Sequence, residues 1–183
     1  GDAGAFGCWP AVLAHNNGVV ACGPARPDRP YGVGLVHLQD IDAAVVEMRR
    51  CVEDLGHRAG MIRPSPYVGV KKLNHPVYEP FWAAAAASGI PIGVHPSPHP
   101  DMANACRLLG LAEGQTSPAQ GLSLRQGLTN AIDLQLALGW FVLGGICERH
   151  PALSIAFLEG TGGWIVAMLE RFDLTRLGPK SPT

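Results

Sequence analysis

The sequence predicts an α/β fold in which helices cover a parallel β-sheet. Four short apolar runs alternate along the chain with helical patterns, and they occupy residues 31–38, 59–63, 90–95 and 153–158. The runs are apolar at almost every position, which is typical of strands buried on both faces. Four such strand–helix units fit either an open doubly wound sheet or part of a (β/α)8 barrel, and both need right-handed crossovers.

The helix after the first strand has the clearest pattern. Asp40 is a suitable N-cap, and Gly56 is a suitable stop. Between them, apolar residues recur at spacings of four and three: Ile41, Val45, Met48, Val52 and Leu55. The opposite face carries Glu47 and Arg50, so this helix is expected to pack on the sheet with one side only.

The remaining connections are predicted from proline and glycine. Pro80 suits the first turn of a helix that closes before Gly89. A long connection reaches about residue 121, where a functional loop is expected, and helical sequence then runs to about residue 148 with a break near Gly139 or Gly144. Three parts are expected: an irregular segment (1–30), the α/β unit (31–176) and a short tail (177–183).

Composition excludes several classes of protein. The 183 residues are 47% hydrophobic and 16% charged, which is enough for one domain with a sizeable core. A net charge of -1 without a basic cluster argues against nucleic-acid partners. Residues 131–147 are apolar but are interrupted by Asp133, Gln135 and glycines, which argues against a membrane span. Five scattered cysteines and no visible secretory signal predict a cytoplasmic protein.

Chemically capable side chains follow each predicted strand. They are His37 and Gln39, Arg63, His95 and Glu159. Parallel strands end at one edge of the sheet, where α/β enzymes hold their active sites. Imidazole, guanidinium and carboxylate groups at one edge suit a metal or acid–base site that acts on an anionic substrate.

Each of these residues also has a structural interpretation. His95, which precedes Pro96, could hydrogen-bond a loop carbonyl, and Arg63 could pair with a structural carboxylate. Glu159 could satisfy the amides of residues 161–163 at a helix N-terminus. His37 lies deeper in its strand, as a packed core histidine does. The turn at 160–163 is a weak candidate for a phosphate site, because it lacks the third glycine of the dinucleotide motif.

Four segments resemble the amidohydrolase-related family: PDRPYGVG (27–34), NHPVYEPFW (74–82), IPIGVHP (90–96) and the stretch from CERHPAL to FLEGTGGW (147–164). That family contains metal-dependent hydrolases and nonoxidative decarboxylases, including relatives of aminocarboxymuconate semialdehyde decarboxylase. The resemblance implies a (β/α)8 barrel, of which this chain would supply about strands three to six. By this resemblance the chain looks like a fragment.

The resemblance also implies roles for three residues. His95 matches the metal-binding histidine at the end of the fifth barrel strand, and the metal is expected to be a divalent ion, zinc. Glu159 falls where many members have a catalytic histidine, and Arg63 is expected to bind a substrate carboxylate. The family's His-x-His pair and its later aspartate are not in this sequence, so the chain alone is expected to bind metal poorly.

The expected function is that of a metal-dependent hydrolase or nonoxidative decarboxylase whose small-molecule substrate carries a carboxylate. Two alternatives stay open. One is a noncatalytic half-barrel scaffold or interaction module. The other, weaker alternative is an open sheet that binds a nucleotide at residues 160–163. Open strand edges would favour a homo-oligomer.

Overall fold

A computed structural model describes residues 3–22, 31–64, 71–96 and 125–176 of the chain. A 3₁₀ turn (Pro76–Tyr78) and a π-helical turn (Arg125–Thr129) each lead into an α-helix. The regular elements are α1 (Ala3–Cys22), β1 (Val33–Leu35), α2 (Ile41–Glu53), β2 (Ala59–Ile62), α3 (Glu79–Ser88), β3 (Ile92–Val94), α4 (Asn130–Val142), α5 (Ile146–Arg149), β4 (Ile155–Phe157) and α6 (Gly163–Arg176).

The four strands form one parallel sheet in the order β1-β2-β3-β4. Gly34 pairs with Gly60, and Met61 pairs with Gly93. Strands that are consecutive in sequence are therefore neighbours in space, as expected of repeated strand–helix units. The predicted α/β class is confirmed, although each strand is shorter than the apolar run that contains it.

Helix α2 begins and ends where its sequence predicts. The Asp40 carboxylate accepts a hydrogen bond of 3.0 Å from the Ala43 amide, and Gly56 has a left-handed φ of 65° beyond the last turn. The prediction for Glu47 is wrong, however, because its side chain is buried rather than solvated. Asn16 of helix α1 reaches this carboxylate and supplies a polar partner that makes the burial tolerable.

Helix α1 replaces most of the irregular segment that was expected before residue 31. It contains Pro10 and has no apolar stripe, so apolar periodicity could not reveal it. The Asn16 amide fixes it instead, since that side chain is fully buried and hydrogen-bonds both backbone groups of Leu35. Residues 23–30, the long connection at 97–124 and the tail at 177–183 lie outside the described residues.

A chain of aromatic rings forms the centre of the core. Neighbouring rings meet edge to face, with centroids 5.2 to 6.2 Å apart, in the order Phe81, Trp82, Phe141, Phe157 and Trp164. These rings connect α3, α4, β4 and α6.

None of the helices in the described ranges is both long and apolar enough to cross a membrane.

The break predicted in the long helical sequence is confirmed at its second glycine. Helix α4 ends at Val142, and the chain turns through Gly144 and Gly145 before α5. A Cβ atom on Gly144 would lie 2.4 Å from the Trp140 carbonyl oxygen, so the turn requires glycine there. Gly145 has a left-handed φ of 75°, which glycine also favours.

Candidate active site

Hydrogen bonds continue past the strand ends and align the residues that follow. The His95 amide donates to the Ile62 carbonyl over 3.0 Å, and the Leu158 amide donates to the Val94 carbonyl over 3.1 Å. Arg63, His95 and Glu159 therefore leave the sheet at one edge, next to one another in strand order. This is the edge at which the sequence predicts a site.

The side chains of His95 and Glu159 approach each other at this edge. Their Nε2 and Oε1 atoms are 3.5 Å apart, and the side chains are 34% and 54% exposed. The Nδ1 atom of His95 lies 2.6 Å from the Pro96 carbonyl oxygen. A carbonyl oxygen only accepts, so this contact places a proton on Nδ1 and leaves Nε2 as the atom that faces the Glu159 carboxylate. A cation, either a proton or a metal ion, would satisfy both Nε2 and the carboxylate.

The hydrogen bond to a loop carbonyl was the structural alternative for His95, and it is present. It does not compete with metal binding, because ligating histidines commonly donate their second ring N–H to a backbone carbonyl or a carboxylate. That bond fixes both the tautomer and the direction of the ring. The observed geometry therefore fits a metal ligand through Nε2.

Glu159 lies in a turn whose backbone conformation is unusual. Glu159 and Thr161 both adopt left-handed φ values, of 60° and 57°, which are uncommon outside glycine and costly to maintain. Between them, Gly160 packs so closely on Leu134 that a Cβ atom would lie 2.3 Å from Leu134 Cδ1. The Trp164 indole also donates to the Gly160 carbonyl over 2.6 Å. Packing and hydrogen bonding thus hold the strained turn that presents Glu159.

Arg63 acts electrostatically on two further side chains. Burial, together with the nearby Arg63 charge, lowers the pKa of His37, which follows β1. Burial raises the pKa of Asp133 to about 6, and Arg63 partly opposes that shift. The guanidinium therefore lies within electrostatic reach of both groups, so the edge also includes His37 and Asp133.

Asp133 was missed as a site residue by the sequence analysis. It lies inside α4 and is 8% exposed. Asn130, one turn earlier in the helix, is also buried. The electrostatic effect of Arg63 on its carboxyl group is what places Asp133 at this edge. The available signal was a single carboxylate in an otherwise apolar helical sequence, which was used only as evidence against a membrane span.

A complete metal centre needs more ligands than these. Within the ranges that the structure describes, no three His, Cys, Asp or Glu side chains are grouped so that they could hold a metal ion. Catalytic zinc sites use three protein ligands and an open position. His95 and Glu159 thus form at most part of such a centre, and the metal-binding role of His95 stays a prediction.

Comparison with known proteins identifies the family. The sequence model described as amidohydrolase matches residues 6–177. The chain belongs to the amidohydrolase family. The family predicted from the strand-end segments is thereby confirmed.

Two relatives of this chain bear the names of decarboxylases. The gamma-resorcylate decarboxylase of Rhodococcus jostii (strain RHA1) is 31% identical over 155 residues, which are 81% of this chain and 44% of that protein. The 2-amino-3-carboxymuconate-6-semialdehyde decarboxylase of Dictyostelium discoideum is 25% identical over 139 residues, which are 76% of this chain and 34% of that protein. The chain thus spans less than half the length of these relatives.

Solved structures share the fold. A putative amidohydrolase from Staphylococcus aureus superposes with a TM-score of 0.70 at 23% identity, covering 89% of this chain and 52% of that one. A dihydroxybenzoic acid decarboxylase from Polaromonas sp. JS666, with bound manganese and 2-nitroresorcinol, gives 0.66 at 22% identity, covering 94% and 51%. The four-stranded sheet is part of an amidohydrolase barrel, as the sequence predicted.

Proposed function

We propose that this chain forms part of the active site of a metal-dependent decarboxylase whose substrate is a small aromatic acid. The observation that carries the proposal is the His95–Glu159 pair, in which Nε2 lies 3.5 Å from a carboxylate oxygen while Nδ1 is engaged by the Pro96 carbonyl. Decarboxylases of resorcylate and of carboxymuconate semialdehyde among the relatives support this reaction class over hydrolysis.

Each residue of the edge has a role in the proposal. His95 Nε2 and Glu159 would face a divalent metal ion, which supplies Lewis-acid polarisation of a substrate oxygen when bound. The proposal requires further metal ligands from outside the described residues. Arg63 holds the substrate carboxylate, because a guanidinium matches a carboxylate in charge and shape.

Loss of the carboxyl group needs a proton to replace it. The carbon–carbon bond breaks, CO₂ leaves, and a proton must reach the ring carbon that held it. We assign this proton relay to Glu159, whose carboxylate neighbours the imidazole of His95. Asp133 is the second carboxyl group that we include in the site, because its pKa of about 6 suits proton exchange near neutral pH.

The test is turnover of 2,6-dihydroxybenzoate by the natural full-length protein supplied with Mn²⁺ or Zn²⁺, followed as resorcinol formation. His95→Ala is expected to lower kcat by at least about 100-fold and to weaken metal uptake, because ligand loss removes Lewis-acid catalysis. His15→Gln, which alters an exposed histidine on α1, is the matched control and should behave as wild type.

The experiment also discriminates the metals and the alternative functions. Zinc remains our first proposal, and manganese is the ion bound in the Polaromonas enzyme. A folded wild-type protein that takes up neither ion and converts no aromatic acid would refute the proposal and favour a noncatalytic barrel. A cytoplasmic location and self-association stay predictions.

A further inference from the structure

The outward face of α4 is apolar, and the proposed chemistry does not use it. Ile132, Leu136, Gly139 and Leu143 follow one another at spacings of four and three, which places them within about 60° around the helix axis. We call these four residues the α4 stripe. Its three large side chains are 40 to 60% exposed, and a Cβ atom on Gly139 would meet nothing within 4 Å. The stripe therefore faces away from the core.

Helix α2 packs on the same sheet and provides an internal comparison. Its exposed positions at the same spacing are Asp42, Val46, Arg49 and Glu53. Three of these four residues are charged, as is usual for a helix face in water. Helix α4 contains one charged residue, Asp133, and that residue lies on the buried side. The lack of charge on the outward face is thus particular to α4.

The rest of a closed barrel would leave this face of α4 uncovered. Helix α4 connects β3 to β4, with α3 on one side, where Trp82 meets Phe141 edge to face, and α6 on the other. The remaining barrel strands continue the sheet beyond β1 and β4, and helices form the outer ring of such a barrel. They can cover the exposed apolar residues of α6, which lies at that flank. The α4 stripe lies between two helices of the ring and points outward.

The spacing and size of the stripe fit a second helix. Apolar residues that alternate at spacings of four and three are typical of a seam between two packed helices. Together with Leu128, which precedes it by a turn, the stripe exposes about 350 Å² of apolar surface, within the range of functional patches. A standard interface buries about 800 Å² per partner and has an apolar core inside a more polar rim. The stripe has the size of such a core.

We propose that the α4 stripe is a self-association surface, at which α4 pairs with α4 of a second copy of this protein across a two-fold axis. A two-fold axis brings the same patch of both copies together, so the patch must be complementary to itself. An uncharged stripe meets this condition, because no like charges are brought together. Residues 126–148 contain no Lys or Arg, which disfavours an anionic membrane surface as the occupant.

The test is the oligomeric state of the natural full-length protein, measured by sedimentation equilibrium from about 0.1 to 100 μM. Wild type is expected to associate. Leu136→Glu would place a carboxylate of each copy at the centre of the contact and should raise the Kd of association at least about 100-fold. Gly139→Glu should have the same effect, and its own chain leaves space for the new side chain.

The matched control is Val46→Glu, which puts the same charge at a 67% exposed apolar position of α2 and should keep the wild-type Kd. Circular dichroism shows whether each variant folds. A monomeric wild type at the highest concentration, or wild-type association of either folded variant, would overturn the proposal. Failure of both variants to fold would also overturn it, because it would show that another segment of the same chain covers the stripe. None of these measurements depends on the proposed reaction.

Discussion

The substitution Gly160→Ala tests whether Leu134 holds the turn that presents Glu159. The new methyl carbon would lie 2.3 Å from Leu134 Cδ1, far inside van der Waals contact. Leu134 is fully buried, so it has little room to withdraw. Overpacking of this kind costs about 1–3 kcal/mol, and we expect a loss of that size in the free energy of unfolding.

The assay is urea unfolding followed by tryptophan fluorescence, with Gly162→Ala as the matched control. A Cβ atom on Gly162 would meet nothing within 4 Å, although Gly162 lies in the same connection between β4 and α6. The control should change stability by no more than about 0.5 kcal/mol. Metal uptake should fall in Gly160→Ala only, because the turn that carries Glu159 is the part displaced.

A double-mutant cycle with Leu134→Ala makes the reasoning refutable. Leu134→Ala alone should cost about 2–5 kcal/mol through the cavity it leaves. The alanine methyl at position 160 would enter that cavity, so the two changes together should cost less than their sum by about 0.5–3 kcal/mol. Additive costs, or equal costs at positions 160 and 162, would show that Leu134 does not hold the turn.

Three further outcomes are expected. Gly144→Ala should destabilise the chain by about 1–3 kcal/mol, because its Cβ would meet the backbone oxygen of Trp140. Gly139→Ala inside α4 is the control: its Cβ meets nothing, so it should stabilise the helix by about 0.5–1 kcal/mol. Thermal unfolding of the two variants compares them. Arg50→Ala should cost roughly 2 kcal/mol in urea unfolding, because Glu47 would keep only Asn16 and Cys51 as donors among the described residues. Burial raises the pKa of Asp133 from 3.8 to about 6, so ionisation of this carboxyl group lowers the stability of the fold as pH rises through that interval. Asp133→Asn should therefore gain up to about 3 kcal/mol in the free energy of unfolding at pH 7 but little at pH 4. A variant that is less stable than wild type at pH 7 would contradict this.

Local patterns were sufficient for most of the architecture. The Asp40 cap, the stop at Gly56 and the apolar stripe between them each report a contact within a few residues, and α2 follows them closely. The sheet order also follows from the succession of strand–helix units, because strands that are consecutive in sequence usually lie side by side. Strand ends were then enough to bring Arg63, His95 and Glu159 to one edge.

Helix α1 shows where apolar periodicity fails. Its position depends on hydrogen bonds from Asn16 to residues 19 and 31 positions away. A polar side chain that is buried because it is paired looks, in sequence, like one that is solvated. Glu47 was assigned to the solvated face of α2 for that reason, although its partners bury it. Neither position could be predicted without knowing which segment lies opposite.

Asp133 shows the same limit at the candidate site and suggests how to reduce it. Strand-end analysis finds only residues that the strands carry, whereas the same edge is also lined by the helices that pack over it. Asp133 lies 70 positions from Arg63, and no motif connects them. A carboxylate within an apolar helical stretch must nevertheless be solvated, paired or functional, because isolated burial is costly. When a strand already places a cationic side chain such as Arg63 at the edge that holds the site, a lone carboxylate in a helix should be treated as a candidate member of that site.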